Sequence, residues 1–132
     1  MSGEKDLSIL IQNMEPVLND GEYVFCTVEN LGGIPDIEKI LFFFRETEAV
    51  TIVLEKVIAD KWSLEYSYIS SWITLNIHSS LEAVGLTAAF ANALKKENIS
   101  CNVVAAYFHD HIFISKKDAE KAMEALYTLK NN

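Results

Sequence analysis

The sequence predicts an α+β fold: two half-size units, each an antiparallel sheet with its helices on one face. Three observations predict it. The second half of the chain alternates β-branched and aromatic runs with two amphipathic stripes of helical period. The first half holds similar apolar runs, but a Gly-Pro loop stands where a helix would fall. The length, 132 residues with 50% hydrophobic and 23% charged, suits one compact unit or two very small ones sharing a core, without metal or disulfide staples.

Each element follows from its residues. Leu7–Gln12 (LSILIQ) is too short for periodicity to separate a strand from a turn of helix, and Pro16 and Asn19-Asp20-Gly21 stop it. Tyr23–Val28 (YVFCTV), aromatic and β-branched between turn residues, is a strand. Asn30-Leu31-Gly32-Gly33-Ile34-Pro35 is a loop. Ile40–Phe44 and Val50–Leu54 flank the polar tip Glu46-Thr47-Glu48 as a β-hairpin, with a helix over Ile37–Arg45 as the rival. Glu55–Trp62 spaces Val57, Ile58 and Trp62 as a short helix would. Tyr66–His78 is one long strand, or two meeting at Ser70-Ser71; Ile73, Leu75 and Ile77 face a core, and Trp72, Thr74, Asn76 and His78 form a mixed opposite face. Ser79 and Glu82 have capping-box spacing ahead of a helix striped by Leu86, Phe90 and Leu94, which ends at Glu97-Asn98. Ile99–Tyr107 and His111–Ser115 are strands joined by Phe108-His109-Asp110. Ser115 and Asp118 start a last helix with Ala119, Ala122, Met123, Leu126 and Leu129 inward.

Strand, helix, strand, strand, helix is a βαββαβ, or ferredoxin-like, unit that lacks its last strand. The N-terminal half reads the same way with its first helix reduced to the Gly-Pro loop. The expected organisation is therefore two tandem units, 1–69 and 70–132, intertwined because the strand at 7–12 completes the C-terminal one.

Charge and composition exclude several functions. Eleven Lys and Arg stand against 19 Asp and Glu, a formal charge of −8 that repels a phosphate backbone, so nucleic acid is not an expected partner. The longest apolar stretch, Val103–Phe108, is six residues, against roughly 20 for a bilayer span. No membrane association is expected, and with no basic start leading an apolar block the expected location is the cytoplasm. Cys26 and Cys101 sit in apolar runs and read as reduced, buried hydrophobes that build neither a disulfide nor a zinc site.

The stretches His78–Ala89 (HSSLEAVGLTAA) and Ile99–Tyr107 (ISCNVVAAY) resemble the ACT domain, an amino-acid-sensing regulatory module. The chain looks most like a stand-alone bacterial tandem-ACT family and is similar to the regulatory end of aspartokinases. In those families a Gly-hydrophobic pair opens the helix and an Asn-Val type strand follows; Gly85-Leu86 and Asn102-Val103 occupy these positions. The specific stretch is His78–Ser115, closed by a helix over Asp118–Leu129. The proline that usually precedes the helix is replaced by Ala83-Val84, and the module is expected to stand without a kinase domain.

The helix start gives this resemblance a chemistry. Backbone N–H groups at a helix N-terminus hold carboxylates. Ser79, Ser80 and Thr87 can add hydroxyl donors, Gly85 allows close backbone approach, and Glu82 can pair with an ammonium. Ser79 and Glu82 serve equally as a plain cap, and Gly85 as a packing residue. The resemblance adds Leu86, Asn102 and Val103 as ligand or interface positions. His78, His109 and His111, with Asp110, could gather at one hairpin tip, yet hydrogen bonding there is the commoner role of such histidines, so neither a metal nor a cofactor is expected. No nucleophile elbow, P-loop or GxGxxG is present, so no enzyme is expected. The expectation is a non-catalytic homodimeric module that binds an amino acid at unit interfaces, with a ligand-free protein-interaction module as the alternative.

Overall fold

The computed structural model describes residues 6–77 and 84–132. In chain order the regular elements are α1 (Leu7–Asn13), β1 (Glu15–Leu18), β2 (Tyr23–Val28), β3 (Ile40–Arg45), β4 (Val50–Glu55), α2 (Lys56–Lys61), β5 (Ile69–Asn76), α3 (Leu86–Lys96), β6 (Asn102–Ala105), β7 (Asp110–Ser115) and α4 (Ala119–Asn131). They divide into two compact units. One is Gly21–Ser70; the other joins the described residues up to Asp20 with those from Ser71 onward.

In the latter unit the strands lie in the order β1-β5-β7-β6, which is the ferredoxin-like order with β1 in the fourth position. The expected strand over 7–12 is instead the helix α1. Leu7, Leu10, Ile11 and Met14 are the apolar residues that reach the core, a spacing of 3.6 and not 2. Asp6 caps the helix by accepting from the Ile9 N–H at 3.2 Å. The pairing strand is β1, antiparallel to β5 from Glu15↔Asn76 to Leu18↔Ile73. Pro16, expected to stop the N-terminal run, lies inside it. The missing N–H is tolerated because β1 pairs only with β5 among the described strands.

The alternation along β5 is the expected one. Ile73 and Leu75 are wholly buried and join Ile112 and Ile114 of β7 in one cluster with Leu10, Leu86, Phe90, Leu94 and Leu126 from the helices. α3 stops as expected at Glu97-Asn98, in a Schellman arrangement. Asn98 takes the left-handed φ of 60°, its N–H donates to Lys95, and the Ile99 N–H donates to Leu94. That use of Ile99 shortens the expected 99–107 strand to β6. The turn closes at Ala106 N–H to His109 O, 3.1 Å, placing the hairpin tip at Ala106–His109. The Ser115–Asp118 capping box does not form. A 3-10 turn over Lys116–Asp118 intervenes and the Ala119 N–H donates to Lys116 O, so neither side chain caps.

In the Gly21–Ser70 unit, β4 lies between β2 and β3, paired from Tyr23↔Glu55 to Val28↔Val50 on one side and from Ile40↔Leu54 to Arg45↔Val50 on the other. The hairpin reading of 40–54 holds and the rival helix does not form. The first two residues of β5 pair with β2 through Tyr23↔Ser70 and Val24↔Ile69. Val24, Cys26, Val50, Ile52, Leu54 and Ala59 make the core. Where βαββαβ topology calls for a first helix, the chain makes only two 3-10 turns, Leu31–Gly33 and Ile37–Lys39. Val57, read from its spacing as inward, is 64% exposed, and Ala59 takes the inward position of α2.

Because Leu10 and Met14 are 1% and 0% exposed, α1 and β1 are structural parts of the unit they join. A truncation starting at Gly21 is expected to strip hydrogen-exchange protection from α3, α4, β6 and β7. Leu10→Ala in the full chain should cost about 2–5 kcal/mol in urea unfolding.

Candidate functional site

Gly85 begins α3 with φ +90° and ψ −9°, in the left-handed region, and supplies no side-chain cap. The first intrahelical bond runs from Ala89 N–H to Gly85 O at 3.0 Å, so the N–H groups of Leu86, Thr87 and Ala88 have no intrahelical acceptor. No acidic residue stands in the first turn, while Lys95 and Lys96 occupy the last. The positive end of the helix dipole therefore lies at Gly85, with no carboxylate in the first turn to neutralise it. A Cβ on Gly85 would sit 3.2 Å from Leu7 Cδ2, and the φ alone strains any L side chain.

The structure sorts the expected site residues. Ser79, Ser80 and Glu82 lie outside the described residues, as do His78 and the proposed Ser79–Glu82 capping box. Gly85, Leu86 and Thr87 share the first turn of α3. Thr87 is exposed; the Leu86 side chain is buried in the core, so only its N–H can meet a ligand. Val103 pairs with Ile112 and packs against the same core cluster as Leu86, which makes its side chain a packing residue. Asn102 is exposed at the head of β6, where its Nδ2 donates to Phe113 O at 3.1 Å.

A polar network on the other face of β5 was only partly foreseen. His111 Nδ1 accepts from Trp72 Nε1 at 3.0 Å and lies 3.1 Å from Thr74 Oγ1. Asn19 Nδ2 in turn donates to Thr74 Oγ1 at 2.9 Å and to Trp72 O at 3.2 Å. Thr74 already accepts from Asn19, so its proton is available to His111. Two donors then converge on Nδ1, and the neutral imidazole carries its proton on Nε2. Trp72 also stacks on Phe113, ring centroids 6.4 Å apart at 12°. The mixed character of this face was visible in the alternation of Trp72 and Thr74 with Ile73 and Leu75. Its link to His111 was not, because it depends on the β5–β7 register.

Among the described residues no group of three His, Cys, Asp or Glu is placed to hold a metal. His109 Nδ1 is buried with no hydrogen-bond partner among the described residues, and its ring centroid is 6.4 Å from that of His111. Cys26 is buried and Cys101 half-buried, both as free thiols; burial raises the first and pushes the second up to about 11, so neither is a thiolate at neutral pH.

Burial, with a smaller push from His109, holds His111 below its ordinary 6.5. The unfolded imidazole takes a proton that the folded one refuses, so stability is full above that value and falls as pH drops through it toward the folded value. Burial raises Asp110 from 3.8, and its effect has the opposite sign, with stability falling as pH rises through that lower window. Urea melts at pH 7 and pH 5 should therefore show a loss on acidification that His111→Gln, which can still accept from Trp72, largely removes.

Comparison with known proteins places this geometry in a family. ACT-domain models match residues 2–71 and residues 67–128. No curated protein matches the chain. A protein of unknown function from Vibrio cholerae is 48% identical, with a TM-score of 0.85 over 96% of this chain and 97% of the other. Two more distant structures share the fold: a protein from Agrobacterium tumefaciens, 17% identical with a TM-score of 0.65 over 89% of each chain, and the regulatory subunit of aspartate kinase from Thermus thermophilus. The latter is 8% identical with a TM-score of 0.63 over 87% of this chain and 97% of the other. The chain belongs to the ACT-domain family and carries two ACT domains in tandem.

Proposed function

We propose that the chain is a non-catalytic regulatory module that binds a small metabolite of amino-acid type at the first turn of α3. The observation that carries this reading is the left-handed Gly85, which opens an 11-residue helix whose first N–H groups have no intrahelical acceptor and whose first turn holds no acidic residue. The ligand carboxylate would take the N–H groups of Leu86 and Thr87 and the Thr87 hydroxyl. Ser79, Ser80 and Glu82 complete the proposal, with Glu82 toward the ammonium, and Asn102 marks the neighbouring strand head. Membership of the ACT family, a family of regulatory modules, supports the same reading.

The module is proposed to work in the cytoplasm as a homodimer. β6 pairs only with β7 among the described strands, so its outer edge can extend a sheet into a second copy. A second reading, docking to another protein without a ligand, is favoured by the hairpin tip. Tyr107 and Phe108 there are 62% and 64% exposed, with centroids 5.0 Å apart.

A thermal-shift screen against the twenty amino acids is expected to raise Tm by several degrees with one or two of them. Thr87→Val should abolish that shift while leaving the unliganded Tm unchanged. No shift with any amino acid, or a shift indifferent to Thr87→Val and Asn102→Ala, overturns the assignment. Gly85→Val is unsuitable, since backbone strain at φ +90° and the contact with Leu7 would act on the fold itself. Light scattering at micromolar concentration should give a dimer; a monomer removes that part of the reading.

A further inference from the structure

The Gly21–Ser70 unit contains a cavity of about 320 Å³, at the small end of the range for small-molecule clefts. It exists because the helical layer of this unit is thin. In place of a first helix there are two three-residue turns, and α2 has only six residues. The opening lies between the 3-10 turn that ends at Gly33 and the cap of α2. That cap is a Schellman arrangement: Ser63 takes φ 57°, its N–H donates to Asp60 O at 3.1 Å, and the Leu64 N–H donates to Ala59 O at 2.9 Å. The cap turns Trp62 and Leu64 into a wall shared with Val28 and Ile34.

The lining has a definite chemistry. Its apolar wall suits a hydrocarbon tail. Its one charged residue is Lys61, exposed, in the last turn of α2, with no carboxylate partner among the described residues. No Asp or Glu lines the cavity, so nothing there would pair with an ammonium. Gly33 leaves the space open, since a Cβ built on it meets nothing within 4 Å.

We propose that this cavity binds a small monocarboxylate with an apolar tail, the carboxylate on Lys61 and the tail against Trp62, Ile34 and Leu64. The site is independent of the α3 turn and discriminates against amino acids, because a zwitterion would bury its ammonium beside a lysine and without a partner.

The full chain labelled with [15N]tryptophan gives two indole signals, from Trp62 and Trp72, assigned with Trp62→Phe. Titration with 4-methylpentanoate should move the Trp62 signal saturably. L-leucine, which adds only the ammonium, and isoamylamine, which replaces the carboxylate, should each bind at least about tenfold more weakly. Lys61→Gln should weaken 4-methylpentanoate about tenfold. Gly33→Leu should remove the response with Tm unchanged, since its φ is not left-handed and its Cβ has room. The proposal is overturned if the Trp62 signal does not move up to about 10 mM ligand, if the amine or leucine binds as well as the carboxylate, or if Lys61→Gln binds like the parent. None of these outcomes depends on Thr87, so failure here and failure at the α3 turn are separately visible.

Discussion

The unit that holds the α3 turn depends on the two-residue period of β5. Ile73 and Leu75 are fully buried and share a cluster with side chains of α1, α3 and α4, while Trp72 and Thr74 point the other way into the network that ends on His111. A slip of one residue would exchange these sets, burying an indole N–H and a hydroxyl among Leu10, Phe90 and Leu126 and losing the wholly buried isoleucine and leucine. The register is held from both sides. Pairing with β1 fixes Leu18 against Ile73, and the Trp72 and Thr74 contacts to His111 can form only in this alignment with β7.

The helix ends show how local rules become site geometry. α2 and α3 finish in the same way, with a non-glycine residue in the left-handed region and the next apolar residue turned back onto the helix. At α3 that residue is Ile99, which is buried and fastens the C-terminal end of the helix into the core. At α2 it is Leu64, only half-buried, because the unit lacks the first helix that would have covered it. One capping motif therefore completes a core in one unit and lines a cavity in the other. The difference comes from the Gly32-Gly33-Ile34-Pro35 stretch, where two glycines and a proline disfavour a longer helix.

Most of the fold was legible because its elements carry strong periods: the stripe Leu86, Phe90, Leu94, the alternation through β5 and the β3–β4 hairpin. The N-terminus was misread for a physical reason. Six residues of LSILIQ fit either period, and the decisive partner, Met14, lies beyond the run, while Asp6 looked like an ordinary acidic residue and not a cap. Pro16 looked like a stop because a proline breaks most strands; an unpaired edge removes the objection. The α3 turn was legible from the Gly85-Leu86 pair. The cavity beside Trp62 was not, since it arises from what the Asn30–Lys39 loop fails to cover, and the sequence offers Trp62 only as one apolar position in the spacing of a short helix. Lys61 carried no signal at all, as an exposed lysine at a helix end is the commonest of placements.

How occupancy at the α3 turn would reach the rest of the molecule follows from what its two proposed contact points are tied to. A ligand shifts an equilibrium only by the difference in its affinity for two arrangements. The N–H groups of Leu86 and Thr87 move with a helix whose Leu86, Phe90 and Leu94 are packed solid, so the turn has little freedom to adapt alone. Asn102 instead stands at an exposed strand head, held to β7 through the carbonyl of Phe113, which stacks on Trp72. A ligand that drew on the Asn102 amide would compete with that carbonyl and alter the β6 edge while α3 stayed fixed. In this proposal the β6 edge would be the element that moves, and it is also the edge that the proposed dimer would use. Coupling between ligand and assembly in such a design would run through a single strand, with the packed helix as its fixed reference.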